Sequence, residues 1–95
     1  KQKYDLNEFV DVPTMQSLLA ALVERIRARR KERGLSQKQL AVRSGVSYAS
    51  VRRFETEGEI SLSSLLRIAQ VLDCLQDFDM LFRAKMIVDL KEFQG

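Results

Sequence analysis

Residues 37–56 read QKQLAVRSGVSYASVRRFET, and the spacing of their small, apolar and turn-forming residues indicates how this part of the chain folds. Two helices cross closely through a turn of about three or four residues only if a small side chain lies at the crossing and a permissive residue lies in the turn. Ala41 and Gly45 meet these requirements, because a left-handed backbone costs a residue other than glycine roughly 1–2 kcal/mol. We therefore predict two short helices, over about residues 37–44 and 47–56, joined at a sharp angle.

The ends and inner faces of these two helices can also be predicted from the sequence. Ser36 precedes the first helix and Gln39 follows three positions later, which is the spacing of a capping box. Ser47 stands in the capping position of the second helix. The apolar residues of the pair fall at helical spacing and are expected to face a common core: Leu40, Val46, Val51 and Phe54.

Together these residues resemble the lambda-repressor-like, or Xre, family of DNA-binding domains, over roughly residues 18–75. The pattern of that family is present here as Leu35-Ser36-Gln37, Leu40-Ala41, Gly45-Val46-Ser47, Val51 and Phe54-Glu55. The resemblance implies an all-α fold, a five-helix lambda-repressor-like helix-turn-helix domain. The residue patterns on either side of it predict short extended or β terminal segments. It further implies a sequence-specific, double-stranded DNA-binding regulator of transcription, which we expect to be a repressor.

Apolar periodicity predicts three more helices. Thr14 caps a long first helix that ends at Gly34. A fourth helix follows Ser61 and ends near Asp73, and a fifth, short helix is expected to close the core. The apolar faces of these three helices contain, in chain order, Leu18, Leu19, Leu22, Val23 and Ile26, then Leu62, Leu65, Leu66, Ala69 and Leu72, then Leu75, Phe78, Leu81 and Phe82.

Three parts of the chain are expected: an extended arm over residues 1–13, the helix-turn-helix domain over residues 14–84 and a terminal strand or tail over residues 85–95. An isolated strand cannot satisfy its backbone groups, so it needs a partner strand. That partner is either the extended segment 4–12 or the same strand of a second subunit, unless the tail is frayed. The run predicted to form this strand and a dimerisation element contains Met86, Ile87, Val88 and Leu90.

The composition suits one small domain and limits where the protein works. Its 95 residues are 45% hydrophobic, enough for one core without metal or disulfide support. Cys74 is the single cysteine, and no run approaches the ~18 apolar residues of a membrane span. We therefore expect a reduced, cytoplasmic protein with no cofactor and no membrane segment.

The formal charge of +3 is unevenly distributed along the chain. Residues 24–33 hold six Lys or Arg against two Glu, and residues 36–58 hold four basic against two acidic residues. The segments 1–13 and 59–95 are both net acidic. A basic half and an acidic half suggest a phosphate-facing side and a different face for other contacts, although a charge run alone is often only a solvated helix face.

In such a fold the second helix of the motif enters the major groove, and side chains near its N-terminus reach base edges. Arg53 is the strongest candidate, because a guanidinium donates two hydrogen bonds to O6 and N7 of guanine. Ala49 contributes by being small, since a larger side chain would hold the helix out of the groove. The positions that the resemblance assigns to base reading hold Ser47, Tyr48, Ala49, Ser50 and Arg53.

Phosphate contacts are expected mainly from the preceding helix, which lies across the DNA backbone. The chain departs from many relatives in the loop after the reading helix, where Glu57 and Glu59 stand in place of basic residues. Because the net charge is only +3, a monomer should bind weakly, and we expect a homodimer on a near-palindromic operator with two reading helices ~34 Å apart. The candidate phosphate contacts are Gln37, Lys38, Arg43, Arg52, Ser61 and Ser63.

The family resemblance also implies a structural ion pair. An arginine four residues before the glycine that ends the first helix often pairs with the glutamate after the aromatic residue of the reading helix. These positions hold Arg30 and Glu55. An acid on a DNA-reading helix is otherwise hard to justify beside phosphates, so we expect both residues to stabilise the fold.

Other classes of function fit the sequence less well. Catalysis is disfavoured, because the chain has no histidine, no glycine-rich phosphate loop and no metal-ligand spacing. RNA binding is disfavoured because the phenylalanines of the helices fit the core and Tyr48 stands alone. A protein-binding module that kept the fold is a further rival, but Arg52, Arg53 and the basic cluster at 25–33 favour nucleic acid.

A second resemblance leaves two kinds of regulator open. Residues 54–73 and 78–82 look like those of Hip-type antitoxins, which repress their own operon and bind a kinase toxin. On this interpretation the chain is the antitoxin and autorepressor of a toxin-antitoxin operon, with a kinase-like toxin as its partner. The alternative is a stand-alone Xre-type repressor that uses the same residues as core.

Overall fold

Five α-helices form the part of the chain that the computed structural model describes, residues 12–84. They are α1 (Met15–Glu32), α2 (Gln37–Ser44), α3 (Tyr48–Glu57), α4 (Leu62–Val71) and α5 (Leu75–Asp79). The predicted all-α, five-helix fold is thus confirmed for these residues. The predictions for residues 1–11 and for the strand with Met86, Ile87, Val88 and Leu90 lie outside them and stay predictions.

Local hydrogen bonds explain where the helices begin and end. The backbone N–H of Gln39 donates to Ser36 Oγ at 3.0 Å, and that of Ser36 donates to Gln39 Oε1 at 2.8 Å, which confirms the predicted capping box of α2. Thr14 caps α1 in a similar reciprocal arrangement with Ser17. Gly45 ends α2 at φ 75° and ψ 14°, the left-handed conformation that the turn was predicted to need.

The core lies where α2, α3 and α4 meet. α2 packs against both α3 and α4, α1 packs against α3, and α5 packs against α4. The side chains of Leu40, Val51 and Ile68 are fully buried at this junction. The other buried apolar side chains are Val23, Ile26, Leu35, Ala41, Val46, Phe54, Ala69 and Leu72.

The apolar periodicity overestimated how much of three helices is buried. Leu18 and Leu22 on α1 are 44% and 40% exposed, and Leu62 at the start of α4 is 68% exposed. Periodicity identifies the inward face of a helix but not how far neighbouring helices extend along it. Conversely, Ile68 is a core residue that the predicted α4 face omitted.

The prediction that the fifth helix closes the core was wrong. α5 has only five residues and ends at Asp79, before Leu81 and Phe82. Phe82 has a positive φ of 62° and a fully exposed side chain, and Leu75 and Leu81 are also exposed. Only Phe78 of the four predicted core residues is half-buried, so α5 covers one edge of α4 rather than the centre of the core.

Candidate nucleic-acid interface

Helix α3 is anchored on one side and free on the other. Val51 and Phe54 are 0% and 3% exposed, and they fix the inner face of the helix to the core. Glu55 is buried as well, and Ser50 is half-buried. The exposed residues of the helix are Tyr48, Ala49, Arg52, Arg53, Thr56 and Glu57. Three of the five predicted base-reading residues therefore lie together on the outward surface of one rigid helix.

The two serines among the predicted base-reading residues are partly occupied by each other. Ser47 Oγ accepts a hydrogen bond from the backbone N–H of Ser50 at 3.0 Å and so caps α3. The Ser47 hydroxyl also donates to Ser50 Oγ at 2.9 Å. Ser47 is thus committed to the helix end, whereas Ser50 is half-buried and keeps its own hydroxyl hydrogen.

Tyr48 brings two predicted phosphate contacts together. Lys38 Nζ of α2 lies 5.4 Å from the centroid of the Tyr48 ring, and the guanidinium carbon of Arg52 lies 5.5 Å from it. Both distances are within the range in which the face of an aromatic ring attracts a cation. The ring therefore holds one positive charge from each helix of the motif beside the start of α3.

Arg53 is held by two carboxylates, which the sequence alone did not show. Its Nε lies 3.3 Å from Glu57 Oε1, and its Nη2 donates to Glu59 Oε1. The nearby charge of Glu59, followed by the hydrogen bond from Glu57, raises the pKa of the Arg53 guanidinium. The strongest candidate for base reading is therefore a permanently charged group with acidic neighbours.

A buried ion pair joins α3 to α1. Arg30 Nε donates to Glu55 Oε2 at 2.7 Å and Arg30 Nη2 donates to Glu55 Oε1 at 2.9 Å, which is a bidentate arrangement. Arg30 Nη1 donates to the carbonyl oxygen of Leu35 at 2.9 Å. Arg30 and Glu55 are 7% and 8% exposed. The structure thus brings together the two residues that the family resemblance predicted to pair.

Two further residues complete this network and were not predicted to belong to it. Gln37 Nε2 donates to Glu55 Oε1 at 2.8 Å, and Arg27 Nε lies 3.6 Å from the same oxygen. Arg27 precedes Arg30 by three residues and so shares its helix face, a signal that sequence reasoning can use. The side-chain amide of Gln37, which was predicted to contact phosphate, donates to Glu55 within this network instead.

The network also sets the protonation of Glu55. Burial alone raises the pKa of this carboxyl group, but the hydrogen bonds from Arg30 and Gln37 and the charges of Arg30 and Arg27 act in the opposite direction and outweigh it. The pKa of Glu55 therefore lies below its ordinary value. The carboxylate stays charged at neutral pH.

The remaining phosphate candidates lie near the ends of α2 and α4. Arg43 is exposed in the last turn of α2. Ser61 Oγ accepts a hydrogen bond from the backbone N–H of Ser64 at 3.1 Å and caps α4, and the hydroxyls of Ser61 and Ser63 are 3.4 Å apart. Both serines are exposed beside free backbone donors at the N-terminus of α4, where an anion is favoured.

Two short helices that cross through a left-handed glycine, the second with a polar face turned outward, define a helix-turn-helix domain. The family model described as Helix-turn-helix (HTH_3) matches residues 26–75, which is more than half of the chain. The chain therefore belongs to this Xre/lambda-repressor-like family of DNA-binding transcription regulators. No curated protein and no solved structure matched it significantly.

The described part of the chain has neither a membrane-spanning helix nor a cluster of metal ligands. Between residues 12 and 84, no helix has both the length and the hydropathy that crossing a bilayer requires. Within the same residues, His, Cys, Asp and Glu side chains do not cluster in groups of three or more that could hold a metal ion. The family is a DNA-binding family rather than an enzyme family.

Proposed function

We propose that this protein is a sequence-specific repressor that binds double-stranded DNA as a homodimer on a near-palindromic operator, in the cytoplasm. The observation that supports this proposal best is the outward face of α3, which presents Tyr48, Ala49 and Arg53 on a helix anchored by buried Val51 and Phe54. Rigid presentation matters, because a base-reading contact depends on holding a side chain in one geometry over the groove.

Base reading is assigned to the start and centre of α3. Arg53 donates to O6 and N7 of a guanine, and the Ala49 methyl group contacts a thymine methyl group. Ser50 donates its hydroxyl hydrogen to a base edge, and Tyr48 contacts a thymine methyl group or a phosphate. Ser47 contributes mainly by holding the first turn of α3 in place through its cap.

Phosphate contacts surround this face and set its register on the duplex. Lys38 and Arg52 flank the Tyr48 ring and supply positive charge from both helices of the motif. The backbone N–H of Gln37 at the start of α2 and the exposed Arg43 side chain in its last turn are further phosphate contacts in this proposal. Ser61 and Ser63 supply hydroxyls at the N-terminus of α4.

A homodimer follows from the modest charge of one chain. A single subunit should bind DNA phosphates with low affinity at physiological salt, because its net charge is only +3 and because Glu57 and Glu59 add negative charge near the end of the reading helix. Two reading helices ~34 Å apart would combine two weak sites on one face of the duplex. The segment with Met86, Ile87, Val88 and Leu90 is proposed to join the two subunits.

Sedimentation tests the dimer directly. We expect the protein to sediment as a dimer at tens of micromolar, and two chains to bind each selected duplex. A variant with four serine substitutions in the terminal segment should sediment as a monomer. The four substituted residues are Met86, Ile87, Val88 and Leu90. A wild-type monomer both free and on DNA would contradict the proposal.

An antitoxin role is the second candidate, supported by exposed apolar side chains away from α3. Leu22 and Leu81 line an apolar groove of about 710 Å³ between α1 and α5, which is a surface that suits a protein partner better than DNA. A kinase-like toxin is the partner that the Hip-type resemblance suggests. Co-purification with a kinase-like protein encoded beside this gene would support the role, whereas a solitary gene would favour a stand-alone repressor.

Selection of bound duplexes from a random pool tests the main proposal. We expect wild-type protein to enrich one near-palindromic consensus. Arg53→Ala should lose the preference for guanine at one position of each half-site, a loss on the order of ten- to a hundredfold in discrimination. Enrichment of no duplex by the wild type would overturn the proposed function, and an identical consensus for Arg53→Ala would show that Arg53 reads no base.

Arg52→Ala is the matched control, because it removes the same side chain from the neighbouring position of the same exposed face. A phosphate contact carries no base information, so Arg52→Ala should weaken binding to all duplexes by a similar factor. Its consensus should equal that of the wild type.

A further inference from the structure

The contact between Arg53 and its two carboxylates occupies a particular edge of the guanidinium. Nε and the neighbouring Nη2 form one side edge of this planar group, and these are the atoms that face Glu57 and Glu59. Nη1 makes no hydrogen bond to any residue between 12 and 84. The end edge, formed by Nη1 and the second hydrogen of Nη2, is therefore available for a two-pronged contact.

The backbone explains why Glu59 reaches Arg53. Gly58 ends α3 in the left-handed conformation, with φ 74° and ψ 18°, and turns the chain back beside the helix. Glu57 precedes this turn by one residue and Glu59 follows it by one, so the two carboxylates approach the guanidinium from both sides of the turn. All three side chains are well exposed, at 58–62%, on the outward side of α3.

Two acids beside a DNA-reading arginine oppose binding to phosphate but not to a base edge. A phosphate that approached the side edge of Arg53 would meet both carboxylates at close range, and like charges repel there. A guanine edge is uncharged and accepts two hydrogen bonds from the end edge of the guanidinium. The carboxylates can therefore stay in place while Arg53 binds guanine through its end edge, but not while it binds phosphate through its side edge.

We propose that Glu57 and Glu59 are positioning residues for specificity: they hold the side edge of Arg53 so that its end edge faces a guanine, and they keep Arg53 from binding phosphates of unrelated DNA. This inference rests on the proposed function, in which α3 reads the major groove. It assigns the acidic loop, which otherwise only weakens DNA binding, a role in discriminating the operator from other duplexes.

The test measures the affinity of each variant for two duplexes of the same length. One is the duplex enriched from the random pool, and the other has the same bases in shuffled order. The double variant Glu57→Gln with Glu59→Gln is expected to bind the shuffled duplex about tenfold more tightly, while its affinity for the enriched duplex changes less than about threefold. For the shuffled duplex, the slope of log K against log salt concentration should become steeper by about 0.9. This is the change expected when Arg53 gains about one phosphate contact.

Two comparisons separate this effect from a simple change of charge. Asp77→Asn with Asp79→Asn also removes two exposed carboxylates, one of them paired with Arg83 in the same i,i+4 spacing, but on α5. It should shift the affinity for both duplexes by the same small factor. In an Arg53→Ala background, the same two substitutions should leave the ratio of the two affinities unchanged, because the carboxylates that they remove would have no guanidinium to hold.

Distinct results would overturn the inference and the proposed function. If the Glu57 and Glu59 variant shifts both duplexes equally, or changes specificity as much without Arg53, the inference is wrong while the DNA-binding function stands. If the wild type and every variant fail to bind any duplex, the proposed function is wrong and the inference falls with it. Circular dichroism should show all variants folded, because the substituted side chains are exposed.

Discussion

The Glu55→Gln variant is expected to lose about 3–5 kcal/mol of free energy of unfolding and to melt more than about 10 °C below the wild type. The substitution removes the negative charge that faces Arg30, whose side chain is only 9% exposed. It also turns one hydrogen-bond acceptor into an amide that points donors at Arg30 and Gln37. A buried guanidinium left without its carboxylate is among the most destabilising changes that a single substitution makes.

The matched control is Glu32→Gln, which makes the same chemical change in an exposed pair. Glu32 lies 2.6 Å from Arg29, but its side chain is 62% exposed, so water replaces the lost contact. We expect Glu32→Gln to change the free energy of unfolding by less than about 1 kcal/mol. Thermal or urea unfolding followed by circular dichroism measures both variants. An unchanged melting temperature in Glu55→Gln, with altered DNA binding alone, would show that Glu55 does not stabilise the fold.

Because of the same ion pair, the free energy of unfolding should decrease at low pH. The pKa of Glu55 is lowered in the folded protein, so its contribution to stability is fully present above the pKa of an unfolded glutamate, about 4.3. That contribution is lost as the pH falls through the lower, folded pKa. The difference in melting temperature between wild type and Glu55→Gln should therefore be constant from pH 7 to about pH 5 and should shrink below about pH 4.

Leu40→Ala is expected to cost about 3–5 kcal/mol of free energy of unfolding. Leu40 is completely buried on α2, the helix that packs against both α3 and α4. Removing its side chain loses the transfer free energy of the removed groups and leaves a cavity that the surrounding helices only partly fill. In a domain of this size the melting temperature should fall by more than about 10 °C.

Val42→Ala is the control on the same helix. Val42 lies two positions after Leu40, and its side chain is 83% exposed. Its replacement removes little buried surface and should change the free energy of unfolding by less than about 0.5 kcal/mol. Equal stability of the two variants in urea unfolding would contradict the assignment of Leu40 to the centre of the core.

Features that depend on neighbouring residues could be predicted from the sequence. The capping box of Ser36 and Gln39 and the left-handed Gly45 involve residues within about one helical turn, and the structure has both. The burial of Val51 and Phe54 also follows from spacing within α3. The partners Arg30 and Glu55 are 25 residues apart, and their pairing could be predicted only because the chain resembles a family in which those positions meet.

The helix-turn-helix could be predicted without a structure, because helix caps, helical periodicity and a left-handed glycine depend on residues three or four positions apart. The exposure of Leu18 and Leu22 is visible only in the folded chain, since burial depends on how far a second helix extends over the first. Only the tertiary structure shows that Arg53 contacts Glu59, because the turn at Gly58 sets where that carboxylate lies. A long charged side chain has many possible rotamers, and which one it adopts depends on groups from other elements of the fold that lie near it.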